Sequence, residues 1–498
     1  MVRVETARRF TFDVGWVFIS SIVAMAAGLL IRILLGNYFD ASGLGAYAMV
    51  LTIWGIVTLT TGAGAPGALI KYVAECTEDK DSRDSLASTS IVNGFIMGLG
   101  AMILFIIIAP WLESIFNIPD LGGLLRIAAI SFPFVTANNS FTAYLNAVRR
   151  MRSYAAFEIY RKGIVVVFTI IFIWVGMGIP GAVWALVVAP VSVTVAQLVL
   201  QRKYFYFRIA RYKECTKKLY TFGSRLFADN IVGQLNTNVA TLLIGYFLLD
   251  SDVGIYAVAL MFFHLFVLVP GAIQRISYPA LSEYYSKQRY ASMKKLMETT
   301  MRFSFMFLSI ICLVMVFFID DAIMIFFPGK AAFLASISTF RIIALLGFVY
   351  ATLLPASVVF LAIGRPDIPL KITVFNLIIN TVASIILIPL DISILGVQIG
   401  GINGAAISYG LSMVFSAVII IAIIKEKTPI RIRFTHLAYG LPVFYLGLML
   451  SFLMVTRFSI SENLVGIIVI SLFSACLYYF GIVTKGGFKT VMGIMNRR

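Results

Sequence analysis

The stretch FGSRLFADNIVGQLNTNVATLLIG, residues 222–245, is as long as a membrane-spanning helix. It nevertheless holds Arg225, Asp229, Asn230, Gln234, Asn236 and Asn238. A guanidinium binds phosphate or carboxylate oxygens in a bidentate fork, and amides exchange hydrogen bonds with hydroxyls. This is the chemistry of holding a ligand. The sequence offers no P-loop, H-E-x-x-H or C-x-x-C motif, so nucleotide hydrolysis and metal catalysis are not expected, nor is a cofactor. At about 100° per residue, Arg225, Asp229 and Asn236 fall within about 40° of one another. Asn230, Gln234, Thr237, Asn238 and Thr241 share another side. Arg225 and Asp229 form either a structural i,i+4 pair or part of a site. The amides either join helices or line a hydrated cavity for the hydroxyls of a sugar. Their number on one face favours the cavity.

Other polar residues sit in apolar surroundings. Arg32 lies about one turn inside the far end of the first apolar segment, where it either snorkels to headgroups or faces a cavity. Arg126 in LLRIAA and Arg341 in TFRIIA occupy similar hexapeptides, as substrate contacts or as structural pins. TANNS at 136–140 contributes Asn138 and Asn139, followed by Asn146. With Glu158 and Asp229 as the internal acids, the embedded arginines would make a cavity positive and suited to a phosphate or pyrophosphate headgroup. His264 reads as a core histidine and His436 as interfacial. Pro133, Pro270 and Pro355 are expected to kink their helices.

The elements that must carry these residues are membrane helices. Of 498 residues, 60% are hydrophobic and 13% charged, with a mean hydropathy of +0.96. A soluble domain carries about a quarter charged residues. Segments of roughly 20 apolar residues predict about fourteen spans. They fall near 12–36, 44–69, 88–110, 121–147, 155–176, 179–200, 221–249, 253–280, 299–319, 331–363, 369–389, 400–424, 435–456 and 463–484. Unpaired backbone is not tolerated in lipid, so the spans are helical. The predicted fold class is an all-α polytopic membrane protein.

The net charge of +17 is not a nucleic-acid footprint. Lys and Arg, with Arg149, Arg150, Arg152, Arg161 and Lys162 counted among them, concentrate in alternate loops, while the opposite loops hold only Lys330 and Arg457. The positive-inside rule then predicts a cytoplasmic (plasma) membrane protein with both termini cytoplasmic. The loop KYVAECTEDKDSRDS reads as solvated, and QRKYFYFRIARYKECTKKLY as a basic amphipathic linker on anionic lipid. Cys76, Cys215, Cys312 and Cys476 are expected as free thiols. The start resembles a signal peptide, with Arg8, Arg9 and AMA at 24–26, but an internal repeat argues that the first span is retained.

That repeat sets GNYFDASGLGAYAMVL, from Gly36, against GYFLLDSDVGIYAVAL, from Gly245, at an offset of 209 residues. Gly36, Ser42, Gly45, Tyr47, Ala48 and Leu51 match Gly245, Ser251, Gly254, Tyr256, Ala257 and Leu260. LLRIAA against TFRIIA and IPGAVWA against INGAAIS follow in order. Spans 1–6 and 7–12 thus share orientation, as in parallel-repeat transporters. The expected organisation is an N-lobe at 1–200, a basic linker at 201–220 and a C-lobe at 221–424. Residues 425–498 hold the last two spans and a tail.

RILLGNYFDASGLGAYA, LRIAA and FRIIA, and GIPGAVWA and GINGAAIS resemble the polysaccharide-transporter branch of the multidrug/oligosaccharidyl-lipid/polysaccharide exporter superfamily. The resemblance covers spans 1–12. It implies two six-helix lobes around a central cavity, export or flipping of lipid-linked glycans by alternating access, and a cavity role for Arg32. The expected partners are a polyprenyl-linked glycan, membrane lipids and glycan-assembly enzymes, with the chain acting as a monomer. Two other readings remain: a drug or cation antiporter, which would favour a more acidic cavity, and a membrane glycosyltransferase or polymerase, which would need larger outer loops than VGMGI or LLDSDVG.

Overall fold

Asp40 interrupts the first helix. In the computed structural model, α1 (Val2–Gly62) contains one residue outside helical geometry, Asp40 at φ 57°, ψ −167°. A non-glycine residue with positive φ is uncommon, and here it divides one continuous helix into the two spans expected on either side of GNYFDASG. The structure describes residues 2–76, 79–116, 118–200, 206–394, 397–428, 430, 432, 434–458 and 461–479. The side chains of Arg225, Asp229, His436 and Cys476 lie outside the described set.

The chain divides into two compact units, 1–257 and 258–498. In the first, α1 is followed by α2 (Ala65–Glu75), α3 (Lys80–Ile115), α4 (Leu121–Ala129) and α5 (Phe132–Ala147). Then come α6 (Met151–Trp174), α7 (Gly178–Leu200), α8 (Tyr212–Phe247) and the start of α9 (Asp250–Phe266). Helices α4 and α5 form one bent span with a 46° break, just ahead of Pro133, where a missing N–H weakens the helical ladder. Helix α3 packs on α5, and α6 on α7 and α1, while α8 packs on α1, α2 and α3. Leu69, Val73, Leu86, Ile91, Phe141 and Leu219 fill the core between α2, α3, α5 and α8.

The linker is strapped to this unit. Tyr206 donates its backbone N–H to Asp84 Oδ2 (3.4 Å), and the Arg208 N–H goes to Ser88 Oγ (2.9 Å). The Arg208 guanidinium meets Asp81 at 2.6 Å. Asn93 accepts from the Tyr212 hydroxyl and donates to Thr216 Oγ1 (3.0 Å). The acidic loop read as merely solvated thus receives the basic linker, while Tyr206, Phe207 and Ile209 stay exposed.

The second unit continues with α9, α10 (Leu268–Ser286), α11 (Tyr290–Phe326), α12 (Ser336–Ser357), α13 (Val359–Ala362) and α14 (Asp367–Leu387). A short antiparallel pair follows, β1 (Ser393–Ile394) with β2 (Val397–Gln398). Then come α15 (Gly401–Lys427), α16 (Thr435–Phe458) and α17 (Glu462–Tyr479). Helices α9 and α10 bend by 43° just before Pro270. Helix α15 packs on α12 and α14, and Phe348 stacks on Phe444 at 4.4 Å.

Helix α14 shows the polarity of the whole. Its exposed face carries Val374, Phe375, Ile378, Val382, Ile385 and Ile386, while Asn376, Asn380 and Ser384 are buried. The buried amide of Asn376 is satisfied by the Ser416 hydroxyl of α15. Apolar outside and polar inside is the reverse of a water-soluble helix, and this protein is a multi-pass membrane protein. Among the described residues, seven helices are long and apolar enough to cross, or nine counting each bent pair as one span. That count takes α1 as a single helix, and the charged residues of α6 and the amides of α8 lower their apolarity. In α16 and α17 the apolar stretches Tyr439–Val455 and Glu462–Phe473 are shorter, so the described residues support fewer than the fourteen spans expected.

Candidate functional site

Within the first unit, α5, α6 and α7 surround a small pocket lined by Val135, Asn138, Asn139, Thr142, Glu158 and Arg161, among others. Pro190, on α7, explains its polar wall. Its carbonyl accepts from Asn138 Nδ2 (2.9 Å) and from Thr194 Oγ1 (2.8 Å). Thr194 also donates to Asn138 Oδ1 at 2.9 Å. Both ends of the buried Asn138 amide are therefore used to tie α5 to α7, as a buried amide requires. Asn139, the next residue, is exposed at the pocket and is the amide available to a ligand.

Helix α6 supplies the charge. Arg161 Nη2 lies 2.6 Å from Glu158 Oε2, and both side chains line the pocket. Lys162 follows, within electrostatic reach of Arg161, Glu158 and Arg32. Arg32, half-buried on α1, also faces Tyr47. Arg161 and Lys162 thus share one carboxylate, and Arg32 adds a third cation within electrostatic reach of Lys162. Sequence reasoning counted Arg161 and Lys162 among the loop cations. The signal that would have found them is helix length: α6 starts at Met151, so Arg161 stands about 15 Å along its axis at 1.5 Å per residue.

The amides of α8 are set out along the same unit. Gln234 Nε2 reaches α1, 3.0 Å from where a Cβ on Gly55 would stand. Asn238 Nδ2 donates back to the Gln234 carbonyl (2.8 Å), and Thr237 to that of Gly233 (3.0 Å). Asn230 is exposed, Asn236 half-buried and Thr241 buried. The amide face is thus partly spent on its own helix and partly turned to α1.

The matched arginines part company. Arg126 is exposed on α4. In the second unit, Arg341 Nη2 binds Asp320 Oδ1 (3.1 Å) and Glu462 Oε2 (2.8 Å), and Nε donates to the Val316 carbonyl (3.0 Å). Two carboxylates and a carbonyl occupy this guanidinium, which leaves little of it for a substrate. His264, expected in a core, is exposed on α9. Cys76, Cys215 and Cys312 are free thiols.

Comparison with known proteins bears on this arrangement. The family described as "Polysaccharide biosynthesis protein" matches residues 10–285, and the family described as "MatE" matches residues 226–386. The uncharacterized membrane protein MJ1068 of Methanocaldococcus jannaschii is 21% identical over 95% of this chain and 94% of its own. The probable flippase AglR of Haloferax volcanii is 21% identical, over 81% of this chain and 80% of its own. A solved structure of the lipid II flippase MurJ in an inward closed conformation superposes with a TM-score of 0.71 at 17% identity, covering 94% of this chain and 99% of that one. At such identity the superposition speaks for the fold.

Proposed function

Because the chain belongs to the polysaccharide biosynthesis protein family, we propose that it is a flippase carrying a polyprenyl-linked oligosaccharide across the cytoplasmic membrane by alternating access. The observation that carries this reading is the pocket that sets Arg161 beside Asn139 and Thr142, with Lys162 next to it in sequence and Arg32 within electrostatic reach of Lys162. Cations in low dielectric bind a phosphate or pyrophosphate strongly, and the neighbouring amide and hydroxyl suit a sugar. The lipid tail stays in the bilayer while the headgroup crosses. The Lys and Arg bias supports a cytoplasmic position for both termini, the loop 76–79 and the linker.

For transport the moving lobes are the repeat halves, 1–200 and 221–424, joined by 201–220. Residues 425–498 lie outside the repeat. Of the other cavity candidates, Asn230, Gln234, Asn236 and Asn238 contribute hydrogen bonds along the path. Arg126, Arg225 and Asp229 are headgroup contacts to be tested beside Arg32. Net movement requires a gradient or removal of product, since binding alone shifts no equilibrium between the two sides. The chain acts as a monomer that hands its glycan to assembly enzymes, and performs no covalent chemistry itself.

A second reading, a drug or cation antiporter, is favoured by the MatE match and by Glu158 in the pocket. Mass spectrometry of lipid extracts separates the two after deletion of the gene in its native host. Accumulated polyprenyl-linked oligosaccharide, relieved by the intact gene but not by Arg32→Gln or Lys162→Gln, is the expected result. An unchanged glycolipid pool with altered sensitivity to cationic drugs would replace the flippase by the antiporter.

A further inference from the structure

The sequence repeat at offset 209 meets itself in space. A Cβ on Gly45 would stand 1.8 Å from the Asp250 carbonyl oxygen, and one on Gly254 would stand 1.9 Å from that of Ala41. Gly45 and Gly254 are repeat mates, and so are Ala41 and Asp250. The contact is therefore reciprocal: each copy's glycine receives the other copy's carbonyl, as at a two-fold axis. Such an approach leaves room only for hydrogen on either Cα, in the manner of a Cα–H···O contact. The Ser42 hydroxyl donates to the Asp250 carboxylate across the same crossing.

A second crossing lies at the other end of α1, where the chain turns into α2 and meets α8 rather than α9. A Cβ on Gly64 would stand 1.9 Å from the Gly223 carbonyl oxygen, and one on Gly223 would stand 2.8 Å from the Gly64 carbonyl carbon. Gly64 has φ 75°, a left-handed conformation that glycine adopts without strain. Around it Tyr72 packs edge-on against Phe222 at 5.8 Å. Lys71 lies 4.1 Å from the Phe222 ring centroid and Lys218 lies 4.4 Å from that of Tyr72. From Gly45 to Gly64 the chain climbs about 28 Å at 1.5 Å per residue, close to the roughly 30 Å thickness of the hydrocarbon layer. The two crossings thus stand about one hydrocarbon thickness apart along the chain, and between them Gln234 of α8 is turned to Gly55 of α1.

We infer that the Gly45–Gly254 crossing is the outer gate of the transport path and the Gly64–Gly223 crossing is its inner gate, opening in turn. The inference rests on the flippase reading for the words outer, inner and transport. The gates themselves are backbone contacts with almost no side chain to unpack, so closing one orders few rotamers and opening it exposes little apolar surface. Both are made in this structure, within the first unit. The Ser42–Asp250 hydrogen bond adds a latch to the outer gate, and the Lys71, Tyr72, Lys218 and Phe222 cluster adds one to the inner.

The test uses the full chain with its four cysteines replaced by serine, reconstituted in lipid and carrying nitroxide pairs. Tyr38→Cys with Leu249→Cys flanks the outer crossing, and Ala74→Cys with Lys217→Cys flanks the inner; all four positions are exposed. In the outer pair, Gly45→Ala or Gly254→Ala is expected to raise the population of the long distance by about tenfold and to leave the inner pair unchanged. Gly64→Ala or Gly223→Ala is expected to do the reverse. Ser42→Ala, which adds no bulk and tests the gate should a glycine variant fail to fold, should shift the outer pair in the same direction by a smaller factor. Unchanged distances in every variant would overturn the inference, as would both pairs lengthening together. Distances need no substrate, so this result stands apart from whether the cargo is a glycolipid.

Discussion

The Nη2 of Arg341 lies 2.8 Å from the Oε2 of Glu462, 121 residues further along the chain. Glu462 is in the first turn of α17, where a carboxylate also interacts favourably with the helix dipole. This ion pair joins α12, inside the sequence repeat, to the last described helix, outside it. Arg341→Gln is expected to destabilise the fold by about 1–3 kcal/mol, because two carboxylates lose a charged donor. Thermal unfolding in detergent measures it. Transport per folded molecule should stay near wild type, and a large loss at unchanged melting temperature would return Arg341 to the substrate path.

Neighbouring amides on α5 should behave oppositely. Asn138→Ala strips the Pro190 carbonyl and Thr194 of a buried partner, an expected cost of about 1–3 kcal/mol readable as a lower melting temperature. Asn139→Ala removes an exposed amide, should change stability by less than about 0.5 kcal/mol, and should weaken glycolipid binding. Binding of a labelled polyprenyl-linked sugar to each purified variant separates the two effects.

Release of the linker gives a third expectation. Replacing Asn93 with alanine removes the acceptor of Tyr212 and the donor to Thr216. Limited proteolysis between residues 206 and 212 should become several-fold faster, following the free energy of local opening. Arg208→Ala should matter less, because an exposed ion pair is worth about 0–1 kcal/mol. Equal rates for wild type and Asn93→Ala would show that the strap does not hold the linker.

The start of α3 should be acid-sensitive. Hydrogen bonding to the side chain and the backbone N–H of Ser82 holds the exposed Asp79 carboxyl below its usual range. A depressed carboxylate pKa stabilises the fold above the unfolded-state value, about 3.9, and that contribution fades as pH falls through the folded value. Amide exchange of the first α3 turn, corrected for intrinsic rates, should therefore gain relative to the helix middle below about pH 4. In Asp79→Ala that pH dependence should vanish.

What the sequence made legible was set by periodicity and by local breakers. The break at Asp40, the α4–α5 bend before Pro133 and the α9–α10 bend before Pro270 each stand at a turn or proline signal. The repeat alignment placed Gly45 against Gly254, but only coordinates reveal that these mates touch. Arg126 and Arg341 looked equivalent because the repeat carries their hexapeptides. Their partners, Asp320 and Glu462, lie on α11 and α17, and no spacing rule connects either to position 341. Arg161 and Lys162 were missed because a cation near a span end reads as a loop cation, when α6 in fact begins ten residues earlier.

Helix α14, with amides inward and Val374, Phe375, Ile378, Val382, Ile385 and Ile386 outward, has a consequence for how such a chain can drift. A lipid-facing position has only to be apolar, because acyl chains adapt to any hydrocarbon outline. Leucine, valine, phenylalanine and methionine are interchangeable there at small cost. An inward amide has a fixed partner, as Asn376 has in Ser416, and a fixed geometry. Each span therefore writes its fold on one side only. Half of the surface can be rewritten almost freely, so this bundle can keep its shape long after its letters have ceased to match.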